Sequence, residues 1–260
     1  MLDVWYALEA PPLAPCLSAP ERERRDRFVV ETARRDYAAA HALLRHVLSS
    51  YDPGRAPADW GFVHGPTGKP APWPACGFEF NLSHSAEAVA IAVGHCELGV
   101  DIEIHRPLQA MPALIERVFH RDEQRWLAQQ SDLESAFFRL WTLKEALLKA
   151  AGTGFSHPPE QLCWRWLDDE SGAAAWFLGR RWTGFSHSTG EATLSLALPA
   201  DAVRARPRYW RIEREARSAP LVDTGFHLMP DLAGRVRADN GRVATRSCRH
   251  DTHEEVHSLG

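Results

Sequence analysis

Six residues, Gly99-Val100-Asp101-Ile102-Glu103-Ile104, restrict the fold more than any other segment of the chain. Val100, Ile102 and Ile104 alternate with polar neighbours, the period-2 pattern of a strand with one apolar side. Residues i and i+2 of a strand point the same way, so Asp101 and Glu103 project together from one face. Further on, Trp141-Thr142-Leu143-Lys144-Glu145-Ala146-Leu147-Leu148-Lys149-Ala150 reads as a helix, in which Glu145 and Lys149 are i, i+4 and share a face. Three hard oxygen ligands on two rigid elements, beside lysines, suit a magnesium ion carrying a phosphate. Each piece has a plainer reading: a solvated strand face for the acid pair, surface ion pairs for the helix. The combination must decide.

Two further segments bear on it. Phe80-Asn81-Leu82-Ser83-His84-Ser85 closes a strand-like run, and Ser83 and His84 are able to bind phosphate oxygens. Gly68-Lys69-Pro70 puts a lysine into an otherwise uncharged loop, where it can contact an anion. Charge and composition narrow the classes. The net charge of −4 over 260 residues counts against a generic nucleic-acid binder. Five scattered cysteines (Cys16, Cys76, Cys96, Cys163, Cys248) without a C-x-x-C fit a reduced, cytoplasmic protein. The N-terminus lacks the basic and apolar regions of a secretory signal. No apolar run approaches the ~20 residues of a membrane span. No nucleic-acid or membrane partner is therefore expected.

Along the chain, residues 2–8 predict a strand and Pro20–Ser50 a helical stretch. The Pro- and Gly-rich residues 52–77 predict an extended loop. Strands are expected at 78–82, 87–93 and 98–104, helices at 112–129 and 131–151, and strands again at 161–167, 174–183 and 192–198. This order suggests two α+β halves, 1–106 and 107–215. No residue-level repeat is visible. The tail, 216–260, has few apolar clusters and predicts a weakly structured or disordered segment. His250, His253 and His257 could share a helical face there.

In order and spacing the four motifs, at 68–70, 80–85, 99–103 and 141–155, resemble the surfactin-type (group II) 4′-phosphopantetheinyl transferases. The resemblance runs from about residue 20 to 200. It implies a pseudo-twofold α+β fold of two similar halves, with coenzyme A bound in the cleft between them. It also implies transfer of the phosphopantetheine arm to a serine of an apo acyl or peptidyl carrier protein, releasing adenosine 3′,5′-bisphosphate. Carried over by position, Asp101, Glu103 and Glu145 would hold Mg2+ on the pyrophosphate. Glu145 would act as base, and Lys149 would stabilise the departing phosphate. Lys69, Ser83 and His84 would contact coenzyme A phosphates. Arg24 and His41 match basic positions of the first helices, and Lys144, one residue off the Glu145 face, joins the coenzyme A contacts. Relatives of this length are usually monomers. Fatty-acid, polyketide, nonribosomal-peptide and lysine-pathway carriers all remain open as substrates.

A magnesium-dependent nuclease or phosphohydrolase also uses acid pairs near a lysine. In one common nuclease arrangement that lysine follows two positions after the second acid, where this chain has His105. A non-catalytic carrier-protein binding module would not need Asp101, Glu103, Glu145 and Lys149 intact.

Overall fold

Two helix-on-sheet layers packed sheet to sheet make up the computed structural model, which describes residues 1–14, 16–65, 68–167, 172–215 and 235–239. The first half begins with β1 (Leu2–Ala7), α1 (Ala19–Asp26) and the long α2 (Glu31–Ser49). A hairpin, β2 (Gly61–His64) and β3 (Pro70–Trp73), precedes β4 (Glu79–Ser85), β5 (Ala88–Gly94) and β6 (Gly99–Ile104). Then come α3 (Met111–Val118), α4 (Arg121–Leu127) and α5 (Leu133–Ala150). Strands β7 (Arg165–Trp166), β8 (Ala173–Phe177), β9 (Arg180–Ser188), β10 (Ala192–Pro199), β11 (Arg208–Ile212) and β12 (Val236–Ala238) follow. The class is α+β, as expected: each half is one long helix on one five-stranded sheet.

The alternation of residue size explains the layering. In β5, Val89, Ile91 and Val93 pack toward α2, while Ala88, Ala90 and Ala92 face the other sheet. Bulky side chains thus fill the helix–sheet layer, and small ones let the two sheets approach. From the second sheet, Val100, Ile102, Leu194, Leu196 and Leu198 meet those alanines. The opposite faces of β8, β9 and β10 pack on α5 through Ala173, Ala175, Trp182 and Ala197.

The sheets do not divide at residues 106/107. Strand β6 leaves the first half and pairs antiparallel with β10, with Asp101 opposite Ser195. Strand β11 returns to pair in parallel with β1, with Trp5 opposite Trp210. A parallel pair needs a long crossover, and here the whole second half is that crossover. Of the tail, residues 235–239 are described. Val236–Ala238 adds β12 to the first sheet, and Asp239 accepts hydrogen bonds from the Tyr6 hydroxyl on β1 and from His187 Nε2 on β9 at 2.9 Å. The histidines at 250, 253 and 257 lie outside the described residues.

Other boundaries moved for local reasons. The helical stretch 20–50 breaks at Arg27–Val30, where the β-branched Val30 is extended and opens α2. The loop 52–77 contains the β2–β3 hairpin. The helix 112–129 is two helices, because His120 caps α4 through its ring nitrogen and Glu123 bonds back to the His120 N–H. The run 174–183 is a hairpin, turned at Leu178 and Gly179, both at positive φ.

Candidate active site

The carboxylates meet where β6 runs under α5. Helix α5 starts on Asp132, whose carboxylate accepts from Ser135 N at 3.1 Å. It ends in a Schellman motif at Gly152 (φ 67°), with Thr153 N–H on Leu148 O and Gly152 N–H on Lys149 O. Its register on β6 is set by Gly99: a Cβ there would fall on the Ala146 carbonyl and the Ala150 nitrogen, and within 2.9 Å of Ala150 Cα. That close approach brings Glu145 and Lys149 over the face carrying Asp101 and Glu103.

Strand β4 supplies the other wall. Ser83 and Ser85 alternate on one of its faces and reach two acids of β6: Ser83 Oγ donates to Asp101 Oδ1 at 2.8 Å and Ser85 Oγ to Glu103 Oε2 at 2.5 Å. Asn81 Oδ1 accepts from Val100 N at 2.8 Å, fixing the strand spacing. Lys149 Nζ donates to Asp101 Oδ1 at 2.6 Å and to Ser83 Oγ at 2.7 Å.

Two carboxylate oxygens, Asp101 Oδ2 and Glu145 Oε1, are buried without a hydrogen-bond donor. A buried anionic oxygen in that condition is strongly disfavoured. Burial accordingly raises the Asp101 pKa against the pull of Lys149. Burial, then repulsion from Asp101, pushes Glu145 up to about 7. Hard oxygens with unused lone pairs are what Mg2+ takes as ligands, so this donor set fits the ion.

On the opposite face of β4, a cavity of about 1100 Å³ opens between α1, α2 and the β2–β3 hairpin. Phe28, Phe62 and Phe80 form apolar wall, and Arg24, His41 and His84 contribute cationic or ionisable groups. Strand β4 is the edge strand of its sheet. Desolvation, then the charges of His41 and Lys149, hold the His84 imidazole below its usual pKa. His41 stacks on Tyr37 with ring centroids 4.1 Å apart.

The structure therefore brings together Asp101, Glu103, Glu145, Lys149 and Ser83, and places Arg24, His41 and His84 around the adjoining cavity. Two expected coenzyme A contacts lie elsewhere. Lys144 is fully buried on the other side of α5, paired with Glu123 at 2.7 Å and donating to the carbonyls of Pro159 and Leu162. The 100° step from Glu145 turns it into the core. Lys69 donates to Leu98 O at 2.8 Å and Ala150 O at 3.4 Å, so it clamps the β6–α5 junction and leaves the cavity wall to Gly68 and Pro70.

The sequence reading missed Glu21, which lines the cavity and is buried. Ser18-Ala19-Pro20-Glu21 carries the signal that could have found it, a capping box with proline in the first turn. A second cluster, His120, Asp122 and Cys163, has ligand atoms within 4.8 Å of one another. Its members are already engaged, with His120 as the α4 cap, Asp122 paired to Arg125, and the Cys163 thiol raised by burial.

Among the described residues, no helix is long and apolar enough to cross a membrane. The family model of the 4′-phosphopantetheinyl transferase superfamily matches residues 97–197, the stretch from β6 to β10 that carries both acid motifs. The chain is 36% identical over 150 residues to the 4′-phosphopantetheinyl transferase HetI of Nostoc sp. (strain PCC 7120), covering 55% of this chain and 63% of HetI. It is 34% identical to psf-1 of Bacillus pumilus over 56% of this chain and 62% of psf-1. To AcpT of Escherichia coli (strain K12) it is 35% identical, over 56% of this chain and 68% of AcpT. The matches thus span a little under two thirds of HetI and psf-1.

Proposed function

From the chain's membership of the 4′-phosphopantetheinyl transferase superfamily, we propose that it moves the 4′-phosphopantetheine arm of coenzyme A onto a serine of an apo carrier protein. Adenosine 3′,5′-bisphosphate is the leaving product. The protein works as a cytoplasmic monomer, with coenzyme A and an acyl or peptidyl carrier as its partners and neither nucleic acid nor membrane among them.

The observation that carries this reading is the pair of donor-less buried oxygens, Asp101 Oδ2 and Glu145 Oε1, beside Lys149 and next to the large cavity. Asp101, Glu103 and Glu145 would hold Mg2+, which when bound offsets charge on the pyrophosphate. Arg24, His41 and His84 bind the phosphates of coenzyme A, and the aromatic wall excludes water. Lys69 and Lys144 take no part in binding. Serine is a weak nucleophile at neutral pH and needs a base. Glu145 accepts the serine proton, directly or through water. The serine oxygen bonds to the phosphorus that carries the pantetheine arm. The bond from that phosphorus to the bridging oxygen breaks, and Lys149 stabilises the charge that leaves.

The test is incubation with apo carrier proteins, coenzyme A and magnesium, followed by mass spectrometry. Addition of the phosphopantetheine arm is expected with the parent protein and its loss with Glu145→Gln, which keeps the shape of the side chain. No transfer to any of several carriers, or near-normal transfer by the variant, would count against the reading.

A further inference from the structure

We propose that Glu21 is the positioning residue of His41, and that it fixes the ring with Nδ1–H turned to the carboxylate and Nε2 turned to the cavity. The inference rests on the reading of that cavity as the coenzyme A site. Glu21 is the N3 residue of α1, yet it is nearly as buried as a core side chain, with 9% of the side chain exposed. One of its oxygens, Oε2, is fully committed: Arg45 Nη2 lies at 2.6 Å and Nε at 3.1 Å, and Ser18 N–H and Oγ–H at 2.7 and 2.8 Å. Arg45 is itself immobile, completely buried and donating to the carbonyls of Pro57 and Trp60 at 3.0 and 2.8 Å. The other oxygen, Oε1, stands 2.9 Å from His41 Nδ1.

A carboxylate can only accept, so Nδ1 must carry the proton. The stack on Tyr37 sets the plane of the His41 ring, and the bond to Glu21 sets which nitrogen turns inward. Nε2 makes no hydrogen bond among the described residues. With Nδ1–H turned to the fixed anion, Nε2 is the nitrogen that faces an external phosphate, and a proton taken up from solvent together with the phosphate completes a carboxylate–imidazolium–phosphate line of charge-assisted bonds. A free histidine would face the phosphate with either tautomer. Glu21 holds the Nδ1–H form in one orientation, as a carboxylate does for a metal-bound histidine. His84 carries no such partner among the described residues, although His41 lies close enough to depress its pKa.

The experiment is a double-mutant cycle read by calorimetric binding of coenzyme A and by steady-state transfer. Glu21→Gln keeps the shape but removes the charge, and His41→Ala removes the donor. Each is expected to weaken coenzyme A binding about tenfold and to raise KM with kcat within about twofold. The double variant should bind no worse than either single one. A hundredfold additive loss would overturn the proposal, as would a folded Glu21→Gln protein that binds normally or loses kcat at unchanged KM. Because loss of the Arg45 partner can impair folding, histidine nitrogen NMR on the parent protein provides the second measurement. A protonated Nδ1 on His41 is expected, and a bare Nδ1 with the proton on Nε2 would overturn the assignment. Parent protein that binds no coenzyme A would overturn the reading of the cavity. Parent protein that binds it beside unshifted variants would overturn the role of Glu21 alone.

Discussion

Gly99→Ala isolates the contact on which the site is built. The new methyl would fall on the Ala146 carbonyl and the Ala150 nitrogen, and 2.9 Å from Ala150 Cα. All three are backbone atoms of α5, so no change of rotamer relieves the overlap. Strand β6 cannot retreat freely, because Val100 and Ile102 on its other face pack against the first sheet and β10 pairs with it in plane, Ala197 opposite Gly99. Carbon atoms rest at roughly 3.5–4.0 Å, so strand and helix must part by about 1 Å. The Lys69 clamp between Leu98 O and Ala150 O would be stretched by the same movement. Overpacking of this kind destabilises by about 1–3 kcal/mol. The loss of activity should be larger, because a ~1 Å misplacement of catalytic groups can cost about 10²-fold, and α5 carries both Glu145 and Lys149. Thermal unfolding and the rate of transfer to an apo carrier are measured on the same preparation. Gly54→Ala is the control, since its Cβ would meet nothing nearer than 3.7 Å, and it should change stability by less than about 0.5 kcal/mol. A Gly99→Ala protein with parental melting temperature and rate would refute the claim that this glycine seats α5.

Two other perturbations test the surroundings. Burial would raise the Glu21 pKa, but bonds from His41, Arg45 and Ser18 outweigh it and lower it from 4.5 to about 2. A depressed carboxylate contributes stability that is whole above 4.5 and is lost as pH falls toward 2. At about 1.4 kcal/mol per pH unit the contribution is on the order of 3 kcal/mol. Urea unfolding of parent and Glu21→Gln should therefore differ most above pH 5 and converge toward pH 2; a constant difference would contradict the pairing. Lys144→Met leaves Glu123 buried without its ammonium partner and should cost about 3–5 kcal/mol. Coenzyme A affinity of the folded variant should be unchanged, and a large loss would return Lys144 to the binding site.

The acid pair was legible because its cause is local. Alternation of Val100, Ile102 and Ile104 with Asp101 and Glu103 dictates a strand, and one strand with two sides fixes where the acids point. Helical phase likewise joined Glu145 to Lys149. It also held the correction for Lys144: one step along the helix turns a side chain by 100°, and a residue so placed beside an inward-facing neighbour enters the core. What was not legible depends on partners far along the chain. Nothing near Lys69 foretells the carbonyls of Leu98 and Ala150, and nothing near Glu21 foretells Arg45 and His41. A mixed-charge helix reads as solvated until a buried arginine claims one of its acids.

The same distinction explains why sheet membership does not follow a division at 106/107. A break in composition at Pro107 and Pro112 marks where helices resume, not where one sheet ends, since strand partners are set by register rather than by sequence distance. By joining the second sheet, β6 carries Asp101 and Glu103 across to α5 while staying within hydrogen-bond reach of β4. Had β6 remained with the first sheet, the acids and Glu145 would stand on separate layers. The exchange of strands, β6 outward and β11 back, is therefore the feature that assembles carboxylates from both halves at one place. Asp239, bonding Tyr6 on β1 and His187 on β9, ties the two sheets together beyond the return of the chain.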